Sequence, residues 1–218
     1  MTVSLTYTDN IAVLNLGDDE NRFTPDFLDV VNGHLDTVLA DGAAGLLTTA
    51  TGKFYTNGLD LDWLMANGDR TSWYVGQVQG LLARVLTLQI PTAAAIVGHA
   101  FGAGAMLAMA HDFRVMRADR GYFCFPEADI RIPFTDGMAA LIQAKLTPQA
   151  AVASMTTGRR FGGADAQAYA IVDATAGEGA VDGAALEILA PLAGKDPGTL
   201  GAIKATMFGT AVRALLAA

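Results

Sequence analysis

The sequence predicts an α/β fold, and three observations carry that prediction. Short apolar segments with strand patterning alternate with longer segments whose apolar residues recur at helical spacing. Glycines and prolines punctuate the boundaries between the two. At 218 residues, 52% of them hydrophobic, the chain is long enough for one well-buried domain, and no linker-like run divides it.

The elements follow in order. Val3–Tyr7 and Ala12–Leu16 alternate apolar and polar residues around Asp9-Asn10, the pattern of a β-hairpin. Thr24-Pro25-Asp26 supplies a cap and a first-position proline for a helix that buries Phe27, Leu28, Val31, Leu35 and Val38, with Gly42 and Gly45 as its stop. Leu46–Ala50 reads as a buried strand, Phe54–Leu61 as a segment turning sharply at Gly58, and Thr71–Leu88 as a second helix ended by Pro91. Thr92–Val97 is a strand that runs into glycines and then a helix. Asp112–Met116 and Gly121–Phe125 are two more strands. Helices are expected from Asp136 toward Lys145, from Thr147-Pro148 to near Thr157, from Gly163, over Val181–Leu192 and from Pro197 onward, with a short strand at Ile171–Thr175.

Composition narrows the partners. Fourteen basic and 22 acidic residues give a formal charge of -8 with the basic residues scattered, which argues against nucleic acid. One cysteine, Cys124, excludes an internal disulfide, and three scattered histidines lack zinc-ligand spacing, so no metal is expected. Met1–Asn10 lacks a basic segment followed by an apolar one, and Leu215–Ala218 is no retention or peroxisomal address, so a cytoplasmic protein is expected. Val85–Ala110 carries no formal charge and is long enough to cross a bilayer, but Gln89, Pro91, Gly98, His99, Gly102 and Gly104 interrupt it, and a buried strand and helix fit it better.

The chemistry concentrates in Val97-Gly98-His99-Ala100-Phe101-Gly102-Ala103-Gly104-Ala105 and, about two dozen residues on, Phe125-Pro126-Glu127. A strand-to-glycine-to-helix turn leaves backbone N–H groups near Ala103 free to hold an oxyanion, and a carboxylate nearby can move a proton. That is the minimum equipment for enolate chemistry. A dinucleotide-binding loop is the rival reading of Gly102-Ala103-Gly104, but its third glycine would fall on Leu107 and no acidic residue ends a later strand at the right distance.

Phe54-Tyr55-Thr56-Asn57-Gly58-Leu59-Asp60-Leu61, Gly98–Gly104 and Phe125-Pro126-Glu127 together resemble the three signature segments of the crotonase, or enoyl-CoA hydratase/isomerase, superfamily. Within it, His111–Gly121 resembles 3,2-enoyl-CoA isomerases of the peroxisomal plant type. The resemblance implies a crotonase (ClpP/crotonase-like) spiral of ββα units in a single domain over 1–218, with a core over about 2–175 and a helical trimerisation or lid region over about 176–218. It also implies a homotrimer or homohexamer that binds an acyl-CoA thioester, with coenzyme A as part of the substrate and no further cofactor required.

Carried over by residue, Leu59 and Ala103 match the two positions whose N–H groups hold the thioester oxygen, and both follow a glycine. Glu127 matches the glutamate that isomerases keep as their base, while Met106 stands where hydratases carry a second glutamate. A 3-to-2 double-bond shift needs one group to take a proton from C2 and return it at C4, whereas hydration must also activate water. Phe123, Phe125 and Pro126 would raise the Glu127 pKa toward the working pH. Asn57, Gly58, Leu61 and Gly102 fall on substrate-lining segments, and Arg22 and Lys53 are the candidate phosphate contacts. Asp136 reads mainly as a helix cap that also has a place near the active site, as a substitute acid for hydration or a contact tuning Glu127. Without a second glutamate, another acyl-CoA reaction or a binding-only protein stays open.

For other residues the plain structural reading comes first: Met106 and Cys124 as packed core, His99 as a satisfied histidine, and His34 and His111 without an assigned partner. Trp63, Trp73 and Tyr74 are read as acyl-pocket wall or as packing, with neither preferred.

Overall fold

The computed structural model describes residues 3–217. The expected hairpin forms from β1 (Ser4–Thr8) and β2 (Ile11–Asn15), with Asp9 and Asn10 both at positive φ in a two-residue turn. Then come α1 (Pro25–Ala40), β3 (Gly45–Thr49), β4 (Phe54–Thr56), α2 (Leu61–Ala66), α3 (Thr71–Leu86), β5 (Thr92–Ile96) and β6 (His99–Phe101). They are followed by α4 (Ala103–Ala110), β7 (Phe113–Arg117), β8 (Phe123–Cys124), α5 (Glu127–Ile130) and α6 (Asp136–Lys145). The chain ends with α7 (Pro148–Met155), α8 (Gly163–Ala168), β9 (Ala174–Ala176), α9 (Val181–Leu189) and α10 (Pro197–Leu216).

After the β1–β2 hairpin, strands from β3 onward are dealt alternately to two sheets. The larger runs β1-β2-β3-β5-β7-β9, parallel from β2 onward, and the smaller runs β4-β6-β8, also parallel. Each turn of chain therefore lays one strand in the large sheet, one in the small sheet, and returns through helix, which is the spiral of ββα units. The buried strands β3 and β5 read as continuous runs of Leu, Thr and Ala rather than as an alternation, as strands covered on both faces should.

The C-terminal helix packs against α3 and α6 of the same chain. At Gly137 of α6 a β-carbon would lie 2.6 Å from the Leu215 α-carbon, so only glycine lets α10 approach this closely. Buried Lys204 anchors the other half of α10, donating to Asp112 Oδ2 at 2.6 Å and to the Ile90 carbonyl at 2.8 Å.

Several boundaries differ from expectation. Helix α1 stops before Gly42, which takes positive φ, while Gly45 starts β3 rather than ending the helix. The Phe54–Leu61 segment is a strand, a turn and the start of α2, a six-residue helix whose short length hid its period. The Gly121–Phe125 strand is cut to two residues because Phe125-Pro126 turns the chain into α5. The late strand lies at Ala174–Ala176 instead of Ile171–Thr175, since Ile171 and Val172 are bonded back to Ala166. Thr135, not Asp136, caps α6: its hydroxyl accepts from the Met138 N–H, and Asp136 is an exposed first-turn residue.

Candidate active site

Leu59 lies in the turn between β4 and α2, half-buried, after Gly58 at φ 78°. Among the described residues its N–H has no hydrogen-bond partner. Ala103 opens α4, where the first-turn N–H groups have no intrahelical acceptor, and its N–H likewise has no partner among the described residues. Gly102, at φ 52°, makes the corner that feeds it.

The two turns are pressed together by glycine. A β-carbon on Gly58 would meet the Phe101 carbonyl at 2.6 Å and the Ala103 nitrogen at 2.9 Å, and one on Gly104 would lie 2.4 Å from the Thr56 carbonyl. Two unpartnered amides are thus brought to one place, at the positive end of α4.

Glu127, the first residue of α5, faces the same place. It is 9% exposed, and its Oε2 is buried with no hydrogen-bond partner among the described residues. Burial pushes its pKa from the ordinary value near 4.5 up to about 7, because the charged carboxylate loses water faster than local dipoles replace it. A β-carbon on Gly102 would sit 3.5 Å from Glu127 Oε1, so the missing side chain keeps the gap between amide and carboxylate open.

Leu59, Ala103 and Glu127 line one cleft of about 400 Å³ together with Arg22, Asn57, Leu61, Phe101 and Gly102. Met65, Ile130 and Ile132 form its apolar outer wall. Glu127 is the buried carboxylate of this lining; Asp62, the other acid, is exposed. The arrangement pairs a base poised near neutrality with two amide donors in an apolar surround, which suits proton transfer beside a developing oxyanion.

The other residues expected at the site are engaged elsewhere or lie outside the cleft. Gly58 supports the cleft through its contact with Ala103 rather than lining it. Arg22 does line it, but its guanidinium is already bound by Glu20, Asp62 and, at 3.6 Å, Asp60. Lys53 is exposed, sits over the Phe54 ring and is outside the cleft lining. Asp136 is also outside the lining, because α6 starts beyond the α5 turn. Met106 is core, 1% exposed. The Cys124 thiol donates to the Gly158 carbonyl, and burial raises its pKa to about 11, which leaves it inert at neutral pH.

His111 proves to be a structural hub. Its ring bonds Thr48 Oγ1 and the Leu107 carbonyl, and burial lowers its pKa to about 4. His99 stacks among Phe54, Phe101 and Tyr122, with Nδ1 buried and unpartnered, so the expectation of a satisfied histidine does not hold at that atom. Trp63, Trp73 and Tyr74 pack on one another outside the cleft lining, with Arg70 over Trp73. Tyr74 is fully buried, and its hydroxyl reaches the Leu59 turn, a contact with no period or motif to betray it.

This spiral with a two-amide, one-carboxylate cleft defines a crotonase-type protein. Residues 6–218 match the enoyl-CoA hydratase/isomerase family, and the chain belongs to that family. Over 169 residues it is 37% identical to enoyl-CoA delta isomerase 2, peroxisomal, of Arabidopsis thaliana, a match spanning 73% of this chain and 70% of that protein. The solved structure of an enoyl-CoA isomerase from Mycobacterium tuberculosis is 25% identical, with a TM-score of 0.91 over 99% of this chain and 94% of the other. The human mitochondrial delta3-delta2-enoyl-CoA isomerase shares the fold at 21% identity, with a TM-score of 0.92 over 99% of this chain and 86% of that one. Among the described residues no helix is long and apolar enough to cross a membrane.

Proposed function

We propose that the chain is an enoyl-CoA isomerase that moves the double bond of a 3-enoyl-CoA into conjugation with the thioester. The observation that carries this reading is the lone buried carboxylate of the cleft lining, Glu127, with an unpartnered oxygen and a pKa near 7. Glu127 takes a proton from C2, and the electron pair of that bond delocalises onto the thioester oxygen. The Leu59 and Ala103 amides stabilise the enolate. As the enolate collapses, C4 takes the proton back from Glu127 and the double bond moves from C3–C4 to C2–C3. The sequence is redox-neutral and regenerates the carboxylate, so it calls for no redox cofactor.

Hydration is the alternative, and it lacks its second acid: Met106 is core and Asp136 is outside the cleft lining. For coenzyme A, Asn57 and Leu61 line the pantetheine path in this reading, while Arg22 must exchange a carboxylate for phosphate or leave that task to Lys53. The assembly we expect is a homotrimer or homohexamer, read out by light scattering.

Absorbance of the conjugated enoyl thioester tests the reaction. Purified protein mixed with 3-enoyl-CoA should give a rise and with 2-enoyl-CoA no fall. A fall with 2-enoyl-CoA selects hydration instead, and silence with both across chain lengths overturns the isomerase reading in favour of another acyl-CoA reaction or of binding alone.

A further inference from the structure

We infer that Tyr74 is a positioning residue for the Leu59 amide: its buried hydroxyl fixes the peptide next to that amide and so aims a donor of the proposed oxyanion hole. The inference rests on the isomerase reading above and gives Tyr74, which the sequence suggested only as acyl-pocket wall or packing, a role that neither of those readings contains. Consider every amide from Asn57 to Asp60. The Asn57 N–H donates to the Glu20 carbonyl at 2.8 Å, the Gly58 N–H to Thr56 Oγ1 at 3.0 Å, and the Asp60 N–H to Tyr74 Oη at 2.9 Å. Leu59 alone in this run is left without a partner among the described residues.

The direction of that amide is set just as tightly. The Gly58 carbonyl accepts from the Phe23 N–H at 2.8 Å. A peptide group is planar and trans, so a carbonyl held toward Phe23 sends the Leu59 N–H the opposite way. The following peptide is held by Tyr74, whose hydroxyl accepts from Asp60 N–H and donates to the Phe23 carbonyl at 2.7 Å. Phe23 therefore braces both planes that flank Leu59, one directly and one through the Tyr74 hydroxyl. On the near side Thr56 has the matching role, accepting from Gly58 N–H and donating to the Asn21 carbonyl at 2.8 Å.

Both hydroxyls are fully buried, so neither is replaced by water when removed. With Phe at 74, Asp60 N–H and the Phe23 carbonyl lose the hydroxyl between them, the 59–60 peptide loses that tether, and the 58–59 peptide that carries the Leu59 N–H is left with the Phe23 N–H bond alone to aim it. Donors of this kind act through the geometry of the transition state more than through ground-state binding.

The experiment compares wild type, Tyr74→Phe, Thr56→Val and Thr56→Ser with a 3-aryl-2-propenoyl-CoA thioester, a chromophore with no hydrogen on C4 to rearrange. Wild type should red-shift its absorption on binding, because amides at the thioester oxygen polarise the conjugated system. Tyr74→Phe should lose a large part of that shift and lower kcat about tenfold or more, with KM changed less than about threefold. Thr56→Val should show the same signature and Thr56→Ser should keep the wild-type shift; if Tyr74→Phe does not fold, a wild-type shift and kcat in folded Thr56→Val overturns the premise that buried hydroxyls on this turn aim the Leu59 amide, and the Tyr74 role with it. A wild-type shift and kcat retained in folded Tyr74→Phe overturns the positioning role. No shift in wild type itself overturns the oxyanion reading of Leu59 and Ala103, and the Tyr74 inference falls with it.

Discussion

Gly58 and Ala103 touch backbone to backbone: a β-carbon on Gly58 would lie 2.9 Å from the Ala103 nitrogen and 2.6 Å from the Phe101 carbonyl. Neither neighbour is a flexible side-chain tip, so any residue but glycine forces the two turns apart. Gly58 also holds φ 78°, which an L side chain adopts at a cost of about 1 kcal/mol. Gly58→Ala should therefore lower stability by about 1–3 kcal/mol in urea unfolding. It should also reduce kcat by about 100-fold, because the two amides no longer converge. Wild-type turnover in this variant would show that their spacing is irrelevant to catalysis.

Glu127→Gln keeps the shape of the side chain and removes the base. Turnover of 3-enoyl-CoA should fall by at least about 100-fold. Affinity for a 2-enoyl-CoA product, measured by titration calorimetry, should stay within a few-fold, since nothing in the amide pair or cleft wall has changed. Retained turnover would move the proton transfer to another group.

The raised pKa of Glu127 gives this site a pH signature of known sign. Catalysis needs the carboxylate, so kcat/KM should climb with pH and level off above about 7. Stability runs the other way. Because the folded pKa lies above the unfolded value near 4.5, the contribution of Glu127 is fully present below about 4.5 and is lost as pH rises through about 7. Glu127→Gln should thus gain relative to wild type by roughly 3 kcal/mol at pH 8 and by little at pH 4.5. An equal melting difference at both pH values would mean that the carboxylate is not destabilised by burial.

Much of this site was legible because its chemistry is written in backbone-determining residues. Gly58, Gly102 and Gly104 announce turns and close approaches, and the neighbours of Glu127 announce desolvation. What stayed hidden depends on contacts between distant segments. Tyr74 meets Asp60 and Phe23 across 14 and 51 residues, and Arg22 meets Asp62 across 40, so no local pattern could reveal that one is a brace and the other is already neutralised. The fold divides similarly: the long α1 and α3 keep their helical period, whereas α2 and α5 are too short to show one.

The anchor of α10 gives the last prediction. Lys204, 3% exposed, donates to Asp112 Oδ2 and to the Ile90 carbonyl, and burial lowers its pKa. Asp112 Oδ2 also accepts from the Thr92 N–H and from its hydroxyl, so it keeps two donors when the lysine is gone. Lys204→Met should then cost about 2–3 kcal/mol, less than the 3–5 kcal/mol typical of breaking a fully buried pair. Adding Asp112→Asn should recover part of that loss by removing the charge left behind, which a double-mutant cycle in urea measures as a coupling energy. The consequence reaches the site through packing: α10 lies on α3, and α3 carries Tyr74. Lys204→Met should therefore lower kcat as temperature approaches its reduced melting point while leaving kcat near wild type well below it. A kcat loss that is the same at all temperatures would instead mean that Lys204 acts on the cleft directly.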